Sequence, residues 1–184
     1  MNKEKPKYLL AVMPSLEISS CVNEWKQSLI KEIGRFGSDK SLAHITIMGF
    51  NTDSNQLPHW INGISTFCKN QPNNDIGFNG FASFGSYAYY IKPDNSSEKY
   101  LNNLIRNIHH HLGFKIKSIK SHMTIARELD EIRIERASKL FKNHDTDFKF
   151  LCDGFTLRKF NETNKQYSDF IAEFKFSEQQ LKLF

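Results

Sequence analysis

Apolar positions along this chain follow two rhythms, a period of two and a period near 3.6, and the alternation between them lays out the elements. Residues 7 to 13, "KYLLAVM", read as a first strand that Pro14 stops. From Ser19 to Arg35, Val22, Trp25, Leu29, Ile30 and Ile33 recur at helical spacing, with Ser19 or Ser20 as N-cap and Gly34 and Gly37 near the end. A strand "HITIMGF" follows, then a helix from Leu57 to Cys68 with Trp60, Ile61, Ile64 and Phe67 on its apolar face. Residues 75 to 92 are rich in Gly, Phe and Tyr and fold back at "FGSY", which predicts two antiparallel strands. The spacing of Tyr100, Leu101, Leu104, Ile105 and Ile108 predicts a helix over Ser97 to His111. After Gly113 come an extended basic segment and a strand "HMTIA". A helix over residues 130 to 142 carries Ile132, Ile134, Ala137, Leu140 and Phe141, and "DFKFLCDGFTLRKF" with "YSDFIAEFKF" predicts a closing hairpin around the loop "NETNKQ".

Strands that mix with helices in this order give an α+β fold, helices covering one side of largely antiparallel sheets. Residues 1–184 are expected to make a single domain of two lobes. Each histidine-bearing strand is followed by a helix and then a strand pair, a faint internal duplication that places His44 and His122 at equivalent points of the two lobes.

Those two histidines carry the main chemical signal. On a strand, His44 and Thr46 share one face while Ile45 and Ile47 share the other, and His122 and Thr124 alternate with Met123 and Ile125 in the same way. Seven histidines and seven threonines, shuffled, would give roughly 0.3 His-x-Thr matches, and the chain has two. Histidine gives or takes a proton at neutral pH, and a hydroxyl two positions along reaches the same space to donate to an oxyanion. Two copies supply an acid, a base and two oxyanion donors without a metal.

Composition narrows the class. Sixteen phenylalanines give an otherwise polar chain enough area to bury a core. Three scattered cysteines, Cys21, Cys68 and Cys152, form no CxxC pair and read as reduced thiols, so a cytoplasmic location is expected. No segment approaches membrane-spanning length, which argues against a membrane protein. A net charge of +5, scattered rather than massed in a tail, suits an anionic ligand without demanding one.

At His44-Ile45-Thr46-Ile47 and His122-Met123-Thr124-Ile125 the chain resembles the 2H phosphoesterases, and within them the 2′-5′ RNA ligase and cyclic phosphodiesterase group. The resemblance implies a bilobal, pseudo-symmetric fold with a central cleft and one H-x-T-x strand from each lobe. It implies chemistry on 2′,3′-cyclic phosphate or 2′-5′ linked ends of RNA or small nucleotides, with no cofactor and no metal, by a monomer. By resemblance His44 is the general acid on the leaving oxygen and His122 the base that activates water, the roles exchanging in the ligating direction. The alternative is a non-catalytic RNA-end or nucleotide-binding module on the same fold.

Other residues are weighed beside these. Arg127 matches a phosphate-binding arginine of the ligase group, although strict alternation puts it opposite His122 unless the strand ends or bulges first. Lys115, Lys117 and Lys120 could draw anionic substrate toward the cleft. Phe50, Phe84, Tyr89 and Tyr90 are candidates for stacking a base. The run His109-His110-His111 does not converge on one ion, because consecutive helical side chains point about 100° apart. The glycines of "GFNGFASFG" precede no GK[ST], which leaves no triphosphate cradle. "MGFNTD", after the first motif, departs from the apolar run and glycine expected in the ligase group, which leaves the substrate class open.

Overall fold

The computed structural model describes residues 4–116 and 118–177. In chain order its elements are β1 (Lys7–Val12), α1 (Leu16–Ile33), β2 (Ile45–Asn51), α2 (Leu57–Cys68), β3 (Asn74–Phe84), β4 (Ala88–Pro93), α3 (Asn95–His111), β5 (Met123–Arg127), α4 (Glu131–Phe141), β6 (Phe148–Cys152), β7 (Gly154–Asn161) and β8 (Gln166–Lys175). The strands form one antiparallel sheet in the order β6-β3-β4-β5-β2-β1-β7-β8. The α+β class expected from the periodicities is the class observed.

Two four-stranded halves, β2-β1-β7-β8 and β5-β4-β3-β6, meet at the pair Ile45–Met123. Each half contains one strand–helix–strand unit, β1-α1-β2 or β4-α3-β5, which brings its histidine to the middle of the sheet. The sheet must curl. Asp153 alone connects β6, at one edge, to β7 in the other half, and a two-residue step spans only about 7 Å. Gly154 sits in that crossing, where an added Cβ would strike the Phe174 carbonyl oxygen.

This crossing corrects the closing hairpin. Residues 147–160 are not one strand: Phe148–Cys152 pairs with β3, and Gly154–Asn161 pairs with β1 and β8. Only the β7–β8 hairpin is as expected. Two helices also begin earlier than the apolar stripes indicate. Ser15, not Ser19 or Ser20, caps α1 and accepts from the Ile18 N–H; Asp94 caps α3 and accepts from the Ser97 N–H. The first turn of α3, Asn95 to Glu98, is polar throughout, and that of α1 opens on exposed Leu16 and Glu17, so hydrophobic periodicity registers neither start.

Side chains of alternate strand residues divide the sheet into a helix face and an open face. The helix face buries Leu10, Val12, Ile45, Ile47, Met123 and Ile125 against Val22, Trp25 and Leu29 of α1 and Leu101, Leu104 and Ile108 of α3. Trp25 fastens α1 to α4 and β3 through rings 5.9 Å from Phe141 and 5.4 Å from Phe81.

One irregularity occurs twice. Opposite β1, Leu10 pairs with Met48 and Ala11 with Thr46, so Ile47 is an extra residue; opposite β4, Tyr89 pairs with Ala126 and Tyr90 with Thr124, so Ile125 is extra. Each is a β-bulge immediately after the motif threonine. Ile47 with Met48, and Ile125 with Ala126, therefore both turn to the helix face, and the burial patterns of β2 and β5 begin alike.

Candidate active site

His44 and His122 stand one residue ahead of β2 and β5, where the chain enters the sheet from a loop. The Nδ1 of His44 lies 2.7 Å from the Leu42 carbonyl oxygen, and that of His122 lies 2.7 Å from the Lys120 carbonyl oxygen. A ring nitrogen against a carbonyl must carry the hydrogen, so Nδ1–H donates in both, and neutral imidazole keeps its lone pair on Nε2. The two halves thus fix the same tautomer by the same two-residue loop contact.

Both histidines, Thr46 and Thr124 line a cleft of about 370 Å³ on the open face of the sheet. Burial pushes the His44 pKa down to about 4; the Leu42 carbonyl works against this, while the charges of Lys26 and Arg158, and His122, add to it. The His122 pKa is lowered too, first by burial, with the Lys120 carbonyl opposing and the Lys120 charge assisting. Both rings are therefore neutral at pH 7 in the unliganded protein. The charged residues along the cleft are Lys40, Arg127 and Arg158, and no Asp or Glu lines it among the described residues.

The bulges decide which other expected residues reach this space. In β5 the extra residue reverses the alternation after Thr124, so Arg127 faces the cleft. In β2 the same reversal carries Phe50 to the helix face, where it stacks on Trp60 at 3.9 Å and on Tyr8 at 5.6 Å. Phe50 is thus not positioned to stack a base. Nor is Tyr89, which pairs with Ala126 on the helix face and packs on Phe81 and Phe141.

Phe84 does line the cleft. Its ring lies 4.9 Å from the His122 ring, edge-on, and 4.4 Å from Tyr90, which is buried beneath it; Lys120 Nζ caps the pair, 4.9 Å from the Phe84 centroid. Lys115 is exposed and does not line the cleft. Lys117 lies outside the described residues. In the His109-His110-His111 run, His109 Nε2 meets the Ile47 carbonyl at 3.2 Å and His111 Nε2 meets that of Gly63 at 3.1 Å. Among the described residues no three or more His, Cys, Asp or Glu side chains gather as a metal site.

The loop between α1 and β2 forms a wall that the strand patterns do not reveal. Ser38, Lys40, Ser41 and Leu42 line the cleft next to His44. Beneath them Lys26, 1% exposed, donates from Nζ to the Ser38 carbonyl at 3.1 Å, the Ser41 carbonyl at 2.7 Å and Ser41 Oγ at 3.0 Å. Ser38 Oγ donates to the Ile125 carbonyl at 3.0 Å, and the Gly37 N–H to that of Arg127 at 3.1 Å, so the loop is tied to the bulged strand of the other half. Burial lowers the Lys26 pKa to about 8, against the raising effect of Asp39. Arg158, on β7, is also legible only once the ladder with β1 is known.

The family model described as the 2′-5′ RNA ligase superfamily matches residues 14–164. Comparison with curated proteins gives no match by sequence. Among solved structures, Escherichia coli LigT complexed with 3′-AMP superposes with a TM-score of 0.67 at 14% identity, covering 95% of this chain and 100% of that one. The same protein complexed with phosphate gives 0.66 at 14% identity over 96% and 100%. TT0787 of Thermus thermophilus gives 0.62 at 12% identity over 94% and 99%. At these identities the likeness is one of fold.

Proposed function

From a chain that belongs to the 2′-5′ RNA ligase superfamily, with the fold of the 2H phosphoesterases, we propose a metal-independent phosphoesterase that opens 2′,3′-cyclic phosphate at RNA ends or on small nucleotides, or handles 2′-5′ linked ends. The observation that carries this reading is the matched tautomer: two histidines, each with Nδ1 committed to a backbone carbonyl, share one cleft with Thr46 and Thr124. LigT, crystallised with 3′-AMP and with phosphate, supports ligands of the same chemistry.

In ring opening, Nε2 of His122 takes a proton from water as the water oxygen bonds to phosphorus. The bond from phosphorus to one ribose oxygen breaks, and His44, protonated in the complex, gives its Nε2 proton to that oxygen. Thr46 and Thr124 donate to the non-bridging oxygens, and Arg127 offsets their charge. His44 starts at a disadvantage, since its pKa is pushed to about 4 in the empty cleft. A bound phosphate anion raises it toward the protonated state the role requires. A ribose hydroxyl in place of water would join two ends with the same proton transfers, and in the reverse, ring-closing direction, where the neighbouring ribose hydroxyl attacks phosphorus and the other oxygen leaves with a proton, the two histidines exchange tasks.

The test is incubation of chelator-treated protein with 2′,3′-cyclic nucleotides and short RNAs bearing that end. Ring opening that persists in chelator is the expected result. Activity that requires a divalent ion would overturn the two-histidine mechanism. Tight nucleotide binding without product from any substrate would replace the enzyme with a binding module.

A further inference from the structure

Arg158 is a cleft residue to which the reaction above gives no task. The β1 ladder sets it opposite Leu9, and Leu9 in turn lies opposite Gly49 of β2. Gly49 holds, past the bulge and three residues beyond Thr46, the place that Arg127 holds beyond Thr124. The first half of the sheet therefore has no side chain at that place and brings an arginine into the same row from a strand further out.

This guanidinium is poorly satisfied by the protein. Nη1 donates to the Ser168 carbonyl at 3.0 Å, whereas Nε is buried and meets no acceptor among the described residues. Among the described residues no carboxylate pairs with it. A half-buried cation with an orphaned N–H, facing a cleft that no Asp or Glu lines among the described residues, is held at a cost that a bound anion removes. Ser168 and Tyr167, from the start of β8, complete the wall around it.

We propose that Arg158 forms a second anion subsite on the His44 side of the reacting phosphate, which takes the phosphate group attached to the 5′ oxygen of the nucleoside whose cyclic phosphate is opened. The proposal rests on the phosphoesterase reading for the identity of the reacting group. Direction follows from the sheet. Arg158 lies two strand spacings, about 10 Å, across from β2, and its charge acts on His44. In ring opening the leaving oxygen stays on its own nucleoside, so the nucleoside and its 5′ substituent lie on the side of the acid, away from the attacking water. Arg127, in the opposite half, is left to the reacting phosphate. An anion on Arg158 would also offset the cation that disfavours a proton on His44.

Binding measured by calorimetry tests this without turnover. Adenosine 3′-phosphate serves as the one-anion probe, with adenosine 3′,5′-bisphosphate and the dinucleotide adenylyl-(3′→5′)-adenosine 3′-phosphate as two-anion probes. The expected result is that the two-anion probes bind the wild-type protein at least about 10-fold more tightly than the one-anion probe, that Arg158→Met abolishes this ratio, and that Arg158→Lys keeps part of it. A gain confined to the bisphosphate would identify a free nucleotide as the source, and one confined to the dinucleotide an RNA end. Equal binding of all three probes, or an unchanged ratio in folded Arg158→Met, would overturn the subsite. Absence of ring opening by a protein that shows the ratio would count against the phosphoesterase reading alone.

Discussion

Ile45 and Met123, each fully buried, face one another where β2 meets β5, and each directly follows a cleft histidine. This contact at the middle of the sheet, together with the bonds from the α1–β2 loop to the Ile125 and Arg127 carbonyls, sets the separation of His44 from His122. Ile45→Ala or Met123→Ala should lower unfolding stability by about 2–5 kcal/mol in urea titrations, since the cavity opens in the centre of the core. Turnover should fall further than the folded fraction accounts for. Full activity per folded molecule in both variants would show that the spacing is set elsewhere.

Removing either imidazole should separate catalysis from binding. His44→Ala and His122→Ala are each expected to cut turnover by about 10²-fold or more while affinity for a 3′-phosphate changes much less. The double variant should lose little beyond the worse single one, because the two groups act as one unit. Thr46→Ala and Thr124→Ala, which remove a donor and leave the titrating groups, should cost less. A folded single-histidine variant with near wild-type turnover would defeat the acid and base roles.

Stability should depend on His44 below neutral pH. Its pKa falls from 6.5 to about 4 on folding. Between those values the unfolded chain binds more protons than the folded one, so stability rises with pH and is lost on acidification through this window. The loss is at most about 3 kcal/mol, and less where solvent in the cleft screens the charge. Urea midpoints at pH 7 and pH 5 should differ more for the wild type than for His44→Gln; identical differences would show that other groups govern the acid limb.

Lys26 should matter to rate through the loop it holds. Lys26→Met leaves the Ser38 and Ser41 carbonyls without their ammonium donor and should reduce kcat by about 10-fold or more through displacement of the His44 wall, with a smaller effect on KM. Since the lysine loses its proton near pH 8, the wild-type rate should decline above that pH as one hydrogen of the ammonium is lost. A kcat unaltered by the substitution would make Lys26 a purely structural residue.

Much of this is legible from the chain. The two His-x-Thr segments, the helix at Leu57–Cys68 and the α+β order follow from local periodicity, which survives folding because each element buries one stripe. What the periodicity misses is what long-range pairing decides. Asp153 divides an apparently continuous strand because its two ends belong to different halves of the sheet; the Asp153-Gly154 dipeptide marks a break there, but nothing local says which strands the two ends join. Arg158 and Lys26 look like ordinary charged residues of a strand and a helix, and only the ladder to β1 and the loop folded over α1 bring them to the cleft or beneath it. Phe50 departs from expectation for a local reason: alternation counted straight through a bulge assigns it to the wrong face.

That bulge changes how a relative of this chain should be read. Counting by twos from the histidine reaches the cleft only as far as the threonine; the next position open to ligand lies three further on, at Gly49 in one half and Arg127 in the other. Substitutions at these two sites change the open face of the sheet, whereas the positions two beyond each threonine, Met48 and Ala126, are buried and constrained by volume. Diversity in ligand preference among such proteins should therefore concentrate at the third residue after each threonine, where Gly49, already exposed and with only the Tyr8 carbonyl oxygen, 3.7 Å away, near a would-be Cβ, leaves room for a longer side chain without rebuilding the sheet.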